Sequence, residues 1–473
     1  MDDGCQIRSG SRQVCSGNIH FPLPIGEAQL SSNSSHKQFA SGWGFVLATV
    51  GSAVGMANVW GFPAKLGSNG GGAFLIIYLL FIALFGNIGL TAEYAVGRRA
   101  GTGTLGSYEM AWSLRGSGTR TAGKFIGWLP LAGSMCIAIG YAVIISYVFQ
   151  ALGSSLTGEL SHVDTEQWFS SFSGTSFSVA PWHVIVVVVT LLTLALGAKG
   201  IEKTNRIMMP LFFIIFIVLA IRVAMMPGSS AGYAYMFTCR WEQLLDPMVW
   251  VWAMGQAFFS LSITGSGMIV YGAYLGKNED VAALGRKTAL FDTVAAMTAA
   301  LVIIPACFAY QFDVGAGPSL LFVTLPRILQ DIPFGQVFAI ILYIALVFAG
   351  ISSLQNMLEA VGESLLYRFP RLNRRLMLVL LCVICLGFGL FMEEINIWGP
   401  WMDVVSIYII PIGATLGAVS WFWIMPRKDL MSAVDLGAGR HAPGKRWYLT
   451  GRYLYVPCSV LLCIIALFMQ ISF

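Results

Sequence analysis

The segment from Gly42 to Pro63 is long and apolar enough to cross a lipid bilayer, yet small and polar residues interrupt it at mid-depth. A membrane-spanning helix satisfies its backbone hydrogen bonds internally, so the run GSAVGMAN at residues 51–58 favours a local loss of helix. The carbonyl and amide groups freed there require other partners, which ions or a small solute could provide. Alternatively, the glycines only allow two helices to pack closely.

The composition is that of a helical membrane protein. Hydrophobic residues make up 56% of the chain and charged residues 11%, and apolar runs of about 20 residues recur along it. The net charge of +5 does not indicate nucleic-acid binding, because the basic residues lie in alternate loops. We predict an all-α integral membrane protein with eleven spans, numbered in chain order, at residues 42–66, 72–97, 125–153, 182–198, 205–226, 247–276, 285–311, 335–367, 375–391, 400–425 and 453–472.

The positions of Lys and Arg predict the orientation of these spans. With a cytoplasmic N-terminus, 24 of the 28 basic residues fall in the N-terminal tail or in the loops that follow the even-numbered spans. Because cytoplasmic loops carry the excess of positive charge, we expect a cytoplasmic N-terminus and an external C-terminus. The four exceptions are Lys65, Arg222, Arg240 and Arg327.

Residues 1–40 form a polar tail rich in Ser and Asn, without the apolar run of a cleavable signal peptide. We expect this tail to be disordered or an unusual start. The nine cysteines show no metal-ligand spacing, and Cys382 and Cys385 are better explained as small hydrophobic residues than as a redox pair. No histidine lies at ligand spacing from Asp, Glu or Cys within a span, so the sequence does not indicate an enzyme.

A second interrupted span covers residues 247–276, where Ser260, Ser262, Thr264 and Gly265 crowd the middle of an apolar segment. The two interruptions lie in spans 1 and 6, five spans apart. Because five is odd, a five-helix repeat would have opposite orientations in the membrane, and the two breaks would meet near the midplane. Paired breaks of this kind indicate the binding site of a secondary transporter.

Several segments, in order and on the expected spans, resemble the neurotransmitter:sodium symporter family of LeuT-type transporters. The resemblance covers roughly residues 40–425 and, more weakly, the last span. The matching segments are GSAVGMANVWGFP at 51–63, NGGGAF at 69–74, EYAVGR at 93–98, DPMVWVWAMGQAFFSLS at 246–262 and FAGISSLQNMLEA at 348–360.

The resemblance implies a LeuT-type fold, in which two inverted five-helix repeats with broken helices 1 and 6 are followed by one extra C-terminal helix. The repeats would cover residues 41–226 and 227–425, and residues 426–473 would form a cytoplasmic loop and span 11. The implied function is sodium-coupled import of an amino acid by alternating access in a bacterial inner membrane. The alternatives are a carrier of a basic or other small zwitterionic solute and a membrane sensor that does not transport.

The resemblance also implies two sodium sites, and oxygen ligands of the kind present suit a hard cation. The first would use the Ala53 carbonyl, the Asn58 side chain, both oxygens of Ser260, and Asp292, together with the substrate carboxylate. The second would use the carbonyls of Gly51, Val54 and Ala349 and the hydroxyls of Ser352 and Ser353.

Asp292 lies well inside span 7, where an unpaired carboxylate is unfavourable and usually functional. Many relatives have Asn at this position and take negative charge from chloride or from another acid, but the matching acid position here is Ala296. We therefore predict that transport does not require chloride. Alternatively, Asp292 pairs with a helix terminus or with Lys287.

Gly55 indicates an amino-acid carrier, because the monoamine carriers of the family have Asp at this position. Tyr141 matches the tyrosine that binds the substrate carboxylate, although a membrane tyrosine can also lie at an interface. Phe259 would form the lid, and Gly265 would enlarge the pocket and so favour a medium or large apolar or aromatic solute. The predicted substrate-binding residues are Ala53, Gly55, Met56, Ala57, Ile137, Tyr141, Phe259, Ser260, Ser262, Gly265 and Met357.

Three departures from the family pattern concern the gates and the substrate site. Gly61 replaces the Arg of the outer gate, while its acid is retained as Asp403, which could titrate, contact a cationic solute or take another partner such as Arg222. At the inner gate, the basic residue, the Trp and their acid are replaced by His36, Phe39 and Tyr367. Ala57 replaces a glycine whose amide holds the substrate carboxylate.

Overall fold

The computed structural model describes residues 39, 41–315, 317–439 and 442–471. The predicted disordered tail, apart from Phe39, therefore lies outside the described residues, and so does His36. Within the described part of the chain the regular structure is helical, and the extended pairing is an isolated bridge between Gly71 and Cys239.

Eleven helical segments in these residues correspond to the predicted spans. Seven are long and apolar enough to cross a bilayer, and the two halves of span 1 together make an eighth. Spans 4 and 9, with 15 and 17 residues, and the two halves of span 6 are shorter. The bounds are Gly42–Ala53 and Ala57–Ser68 for span 1, then Gly72–Ala100, Trp128–Leu156, Ala180–Leu194, Ala198–Ala224, Pro247–Ser260 with Gly267–Ala273, Val281–Tyr310, Gly335–Arg368, Arg374–Leu390, Ile395–Ile424 and Lys445–Met469.

Several predicted bounds are wrong by up to eight residues. Span 5 begins at Ala198 rather than at residue 205, and span 11 begins at Lys445 rather than at residue 453. Both helices begin with polar turns that extend beyond the apolar run, so hydropathy alone places these starts too late.

Side-chain caps explain where several spans begin. Each capping oxygen accepts a hydrogen bond from a backbone amide in the first turn, which would otherwise have no partner within the helix. Ser41 caps span 1 at 3.0 Å, and Asp246 caps span 6 at 2.8 Å, followed by Pro247 in the first turn. Asp280 and Asn373 cap spans 7 and 9 in the same way.

Spans 1 and 6 are both broken, as the sequence predicts. The two halves of span 1 meet at an angle of 62° after Ala53, and the second half opens with a wide π-helical turn at Ala57–Gly61. Span 6 loses its helix between Ser260 and Gly267. Span 1 packs against spans 5, 7 and 8, and span 3 packs along span 8. The breaks therefore lie inside the bundle.

Candidate sodium and substrate site

The two helix breaks lie side by side, and polar groups cross between them. The Ser262 hydroxyl donates to the Ser52 carbonyl at 3.4 Å, and the Gln256 side-chain amide donates to the Ala57 carbonyl at 3.1 Å. The Asn356 side chain on span 8 donates to the Ser52 hydroxyl. Since no water is present in the hydrocarbon region, these side chains replace the partners that the broken helices lose.

The structure brings together Asn58, Ser260 and Asp292, three members of the predicted first sodium site. All three are fully buried. The Asn58 amide donates to one carboxylate oxygen of Asp292 at 2.7 Å, and the Ser260 hydroxyl donates to the other at 2.7 Å. The Asn58 Oδ1 atom is buried and has no hydrogen-bond partner among the described residues. This cluster offers several oxygen atoms to a cation. The predicted carbonyl ligand Ala53 is the last residue of the first half of span 1.

Asp292 forms no ion pair with a Lys or Arg of the described residues. The alternative partner proposed from the sequence, Lys287, instead lies over the ring of Trp43, 5.2 Å from its centroid. A buried carboxylate without a cationic side chain is unfavourable unless another positive charge binds there. The geometry therefore favours a bound cation over Lys287.

The structure also brings together the members of the predicted second sodium site. The Ser352 hydroxyl donates to the Gly51 carbonyl at 2.6 Å. The Ser353 hydroxyl lies 3.1 Å from the Ala349 carbonyl and 3.5 Å from the Val54 carbonyl. Carbonyls from the end of the first half of span 1 thus converge on two hydroxyls of span 8.

Gly55 lies directly against Tyr141. A Cβ atom on Gly55 would lie 2.1 Å from the Tyr141 hydroxyl and 2.9 Å from the Ser353 hydroxyl, so no side chain fits there unless Tyr141 moves. The Met56 amide donates to the Tyr141 oxygen at 2.6 Å, which leaves the phenol proton free to be donated to another group. Ala57 begins the second half of span 1, and the amides of Asn58 and Val59 that follow it donate to the Gly55 carbonyl at 3.1 and 3.3 Å.

Of the remaining predicted pocket residues, Ile137 lies one turn before Tyr141 on span 3 and is buried. Phe259 and Met357 are half-buried although both lie in the middle of spans. Phe259 also borders a cavity of about 20 Å³, lined by residues of spans 6, 10 and 11, that has room for about one water molecule.

The predicted enlargement of the pocket at Gly265 is not what the structure shows. Gly265 has a φ of +73°, and a Cβ atom there would lie 2.4 Å from the Gly413 carbonyl oxygen and 2.7 Å from the Tyr108 hydroxyl. Its amide donates to the buried Glu93 at 3.0 Å. The space beside Gly265 is therefore filled by span 10 and Tyr108. The glycine at this position does not indicate a larger solute.

The predicted outer gate lacks its ion pair in the structure as well. Asp403 is exposed and forms no ion pair with a described residue. A side chain at Gly61 would face Gln256, at 3.6 Å. One turn beyond Gly61, Lys65 lies over the ring of Trp252 at 4.7 Å, so a cation of span 1 does contact span 6 at this end.

At the predicted cytoplasmic end, the sequence analysis missed a buried cluster of charges. Arg374 at the start of span 9 pairs with Glu359 of span 8 at 2.7 Å and with Glu363 at 3.8 Å. Tyr274, at the end of span 6, donates to Glu359. Two acids four residues apart inside span 8, followed by a basic residue at the start of the next span, were the signal available in the sequence.

Two of the predicted replacements at the inner gate, Tyr367 and Phe39, make separate contacts and no ion pair with each other. Tyr367 donates to Glu109 of the helix Thr104–Ser113 at 3.3 Å, and Glu109 pairs with Arg120 at 2.7 Å. Phe39 packs edge-on against the rings of Phe45 and Tyr271. These contacts close the bundle at the end where span 1 begins.

Two broken helices that meet inside a bundle of eleven spans, lined by oxygen ligands, define a secondary transporter of the LeuT-type fold. The model of the sodium:neurotransmitter symporter family matches residues 36–180 and 171–472, and the chain belongs to that family. It is therefore a sodium-dependent symporter and not an enzyme.

Known proteins of similar sequence or structure agree with this assignment. The sodium-dependent transporter YhdH of Bacillus subtilis is 29% identical over 92% of this chain and 98% of its own length. A sodium- and chloride-dependent GABA transporter of Drosophila melanogaster is 25% identical over 77% of this chain and 43% of its own length. The crystal structure of MhsT in complex with L-phenylalanine superposes with a TM-score of 0.81, at 30% identity, over 91% of this chain and 99% of that one.

We predict that Gly55→Ala lowers the melting temperature of the purified protein in detergent, because its methyl group would collide with the Tyr141 hydroxyl. Overpacking of this kind costs about 1–3 kcal/mol. Gly61→Ala, on the same span with no atom closer than 3.6 Å, serves as the matched control and should leave the melting temperature nearly unchanged. Equal effects of the two variants would contradict the proposed contact.

We also expect Arg374→Met to destabilise the protein by about 3–5 kcal/mol, because it leaves the buried Glu359 carboxylate without a cation. Arg375→Met, which removes an exposed charge from the next position, is the control and should have little effect. Adding Glu359→Gln to Arg374→Met should restore part of the stability, as measured by thermal unfolding in detergent. A double variant no more stable than Arg374→Met would argue against this pairing.

Proposed function

We propose that the chain imports a medium or large apolar or aromatic amino acid together with sodium. The contact between Gly55 and Tyr141 carries the choice of an amino acid over a monoamine, because a side chain at residue 55, where an ammonium-binding carrier needs an acid, would collide with the Tyr141 hydroxyl. The substrate carboxylate would accept from the Tyr141 hydroxyl, beside the break in span 1. Its other oxygen would face the cation held by Asn58 and Asp292.

The preference for an apolar solute rests on the lining of the pocket. Ile137, Phe259 and Met357 would offer an apolar surface to the solute side chain, and MhsT, which is 30% identical, was crystallised with L-phenylalanine. A basic amino acid is the second candidate, because Asp403 is exposed without an ion-pair partner among the described residues. Transport of lysine or arginine would identify that candidate.

Two sodium ions and no chloride are proposed for the coupling. The oxygen clusters around Asn58 and around Ser353 are separate, and each can hold one cation. Asp292 supplies a fixed negative charge at the first cluster, so a chloride ion is not needed to balance the sodium. Two charges entering across a potential of about 100 mV would contribute roughly 2.3 kcal/mol each to accumulation of the solute.

Alternating access follows from which spans each cation would join. A cation at the first cluster joins spans 1, 6 and 7, and one at the second joins spans 1 and 8. Sodium would thus favour the arrangement in which the substrate site is complete and open to the outside. Occlusion by Phe259 would let spans 1, 2, 6 and 7 rock against spans 3, 4, 8 and 9, and release of the second sodium would open the inside.

The proposed location is a bacterial cytoplasmic membrane, with the N-terminus inside and the C-terminus outside. The distribution of Lys and Arg supports this orientation, since 24 of 28 fall in segments that it places in the cytoplasm. The buried charge cluster around Arg374 would then lie at the inner end of the bundle.

Proteoliposomes loaded with potassium and given an inward sodium gradient test the substrate and the ions together. We expect uptake of radiolabelled phenylalanine, tryptophan or leucine above that of glycine and lysine, and equal uptake when gluconate replaces chloride. Collapse of uptake in gluconate would contradict the chloride proposal. Binding of an amino acid without uptake would indicate a sensor.

Asp292→Asn tests the first sodium cluster. Loss of the charged ligand should raise the sodium concentration for half-maximal uptake by about tenfold or more, since hydrogen bonds to charged groups contribute about 1.5–3 kcal/mol. Asp331→Asn, at an exposed acid outside the spans, is the control and should keep the native sodium dependence. Both variants are measured with gluconate in place of chloride, so that chloride cannot replace the lost charge. A native sodium dependence in both would remove Asp292 from the site.

A further inference from the structure

Asn205 on span 5 is a fully buried amide whose Oδ1 atom has no hydrogen-bond partner among the described residues. Its Nδ2 atom donates to the Ile201 carbonyl at 2.9 Å and to Gln355 Oε1 at 3.3 Å. Turning the amide over would place its oxygen against these two acceptors, so the network fixes the orientation of the oxygen. An amide oxygen with free lone pairs is the kind of ligand that a hard cation prefers.

This oxygen points at span 1. A Cβ atom on Gly51 would lie 1.9 Å from Asn205 Oδ1 and 3.3 Å from the Cβ atom of Ser352. The Gly51 carbonyl and the Ser352 hydroxyl are joined by a hydrogen bond of 2.6 Å, and both belong to the proposed second sodium site. The Asn205 oxygen therefore approaches the same place from a third span.

Glu202, nearer the start of span 5, also places a side-chain oxygen against a glycine of span 1. A Cβ atom on Gly44 would lie 1.9 Å from Glu202 Oε1, so the absence of a side chain on span 1 again makes room for an oxygen of span 5. Glu202 is buried but pairs at 2.7 Å with Arg206, whose side chain is 60% exposed. Oxygens of span 5 thus extend from the second sodium cluster towards the end of the bundle where span 1 begins.

We propose that Asn205 Oδ1 is a further sodium ligand: it coordinates the second sodium ion in its site and stays bound to the ion as it begins to leave towards the cytoplasm. The inference rests on the proposed second sodium site. A hard cation exchanges one oxygen ligand for another more easily than it gives up a ligand without replacement. A neutral amide oxygen provides such a ligand without the charge that would retain the ion.

The test uses sodium chloride alone as the ligand and the purified full-length protein in detergent. Thermal stability is measured along a sodium titration, with choline chloride keeping the ionic strength constant, and the dissociation of radiolabelled sodium is followed in parallel. Asn205→Leu should raise the half-saturating sodium concentration about tenfold. Asn205→Asp, which keeps size and shape, should lower that concentration and slow dissociation.

Thr204→Val is the matched control, because Thr204 shares the Gln355 network at 3.3 Å, and this variant keeps the Asn205 oxygen. It should keep the native sodium dependence. Melting temperatures in choline alone separate a general loss of stability from a loss of sodium binding. If Asn205→Leu binds sodium as the native protein does, or if the Leu and Asp variants shift in the same direction, the proposal is wrong.

Ser353→Ala separates this proposal from the one on which it rests. A shift in sodium dependence with Ser353→Ala but not with Asn205→Leu would refute the role of Asn205 and leave the second sodium site in place. Native sodium dependence in both variants would refute the second site itself.

Discussion

The structure depends on the carbonyl groups that span 1 exposes where its helix stops. In a lipid environment these groups must find partners within the protein, and neighbouring spans supply them. The hydroxyls of Ser352 and Ser353 reach the carbonyls of Gly51 and Ser52, and Ser262 reaches Ser52 from the second break. Hydrogen bonds to the broken part of span 1 therefore hold spans 6 and 8 against it. The segment of span 1 without helical hydrogen bonds lies at the centre of the bundle.

Two groups of buried acids show how function and structure can be told apart in such a bundle. Glu359 has Arg374 beside it, so its charge is already balanced within the protein. Among the described residues, the side chains that donate to the Asp292 carboxylate are the neutral Asn58 and Ser260. An acid that is paired with a cationic side chain serves mainly to join helices. An acid whose partners are neutral can still attract a cation that binds reversibly.

The sequence predicted the architecture well because the signals were local. Apolar runs located the spans, and clusters of Gly and Ser located both breaks. Contacts between distant segments were not predictable in this way. The Arg374 cluster depends on how spans 6, 8 and 9 approach each other, and the space beside Gly265 depends on Gly413, almost 150 residues away. Hydropathy did not locate the starts of helices that begin with a polar turn, such as span 5.

The hydroxyl of Ser352 donates to the carbonyl oxygen of Gly51, which is also a ligand in the proposed second sodium site. A carbonyl oxygen has two lone pairs, so under that proposal the ion would share this oxygen with the hydroxyl rather than hold it alone. An oxygen that keeps its hydrogen bond when the ion departs costs the protein little to leave empty. Turnover in a carrier requires such reversibility, whereas a protein that stores metal would be better served by oxygens with no alternative partner.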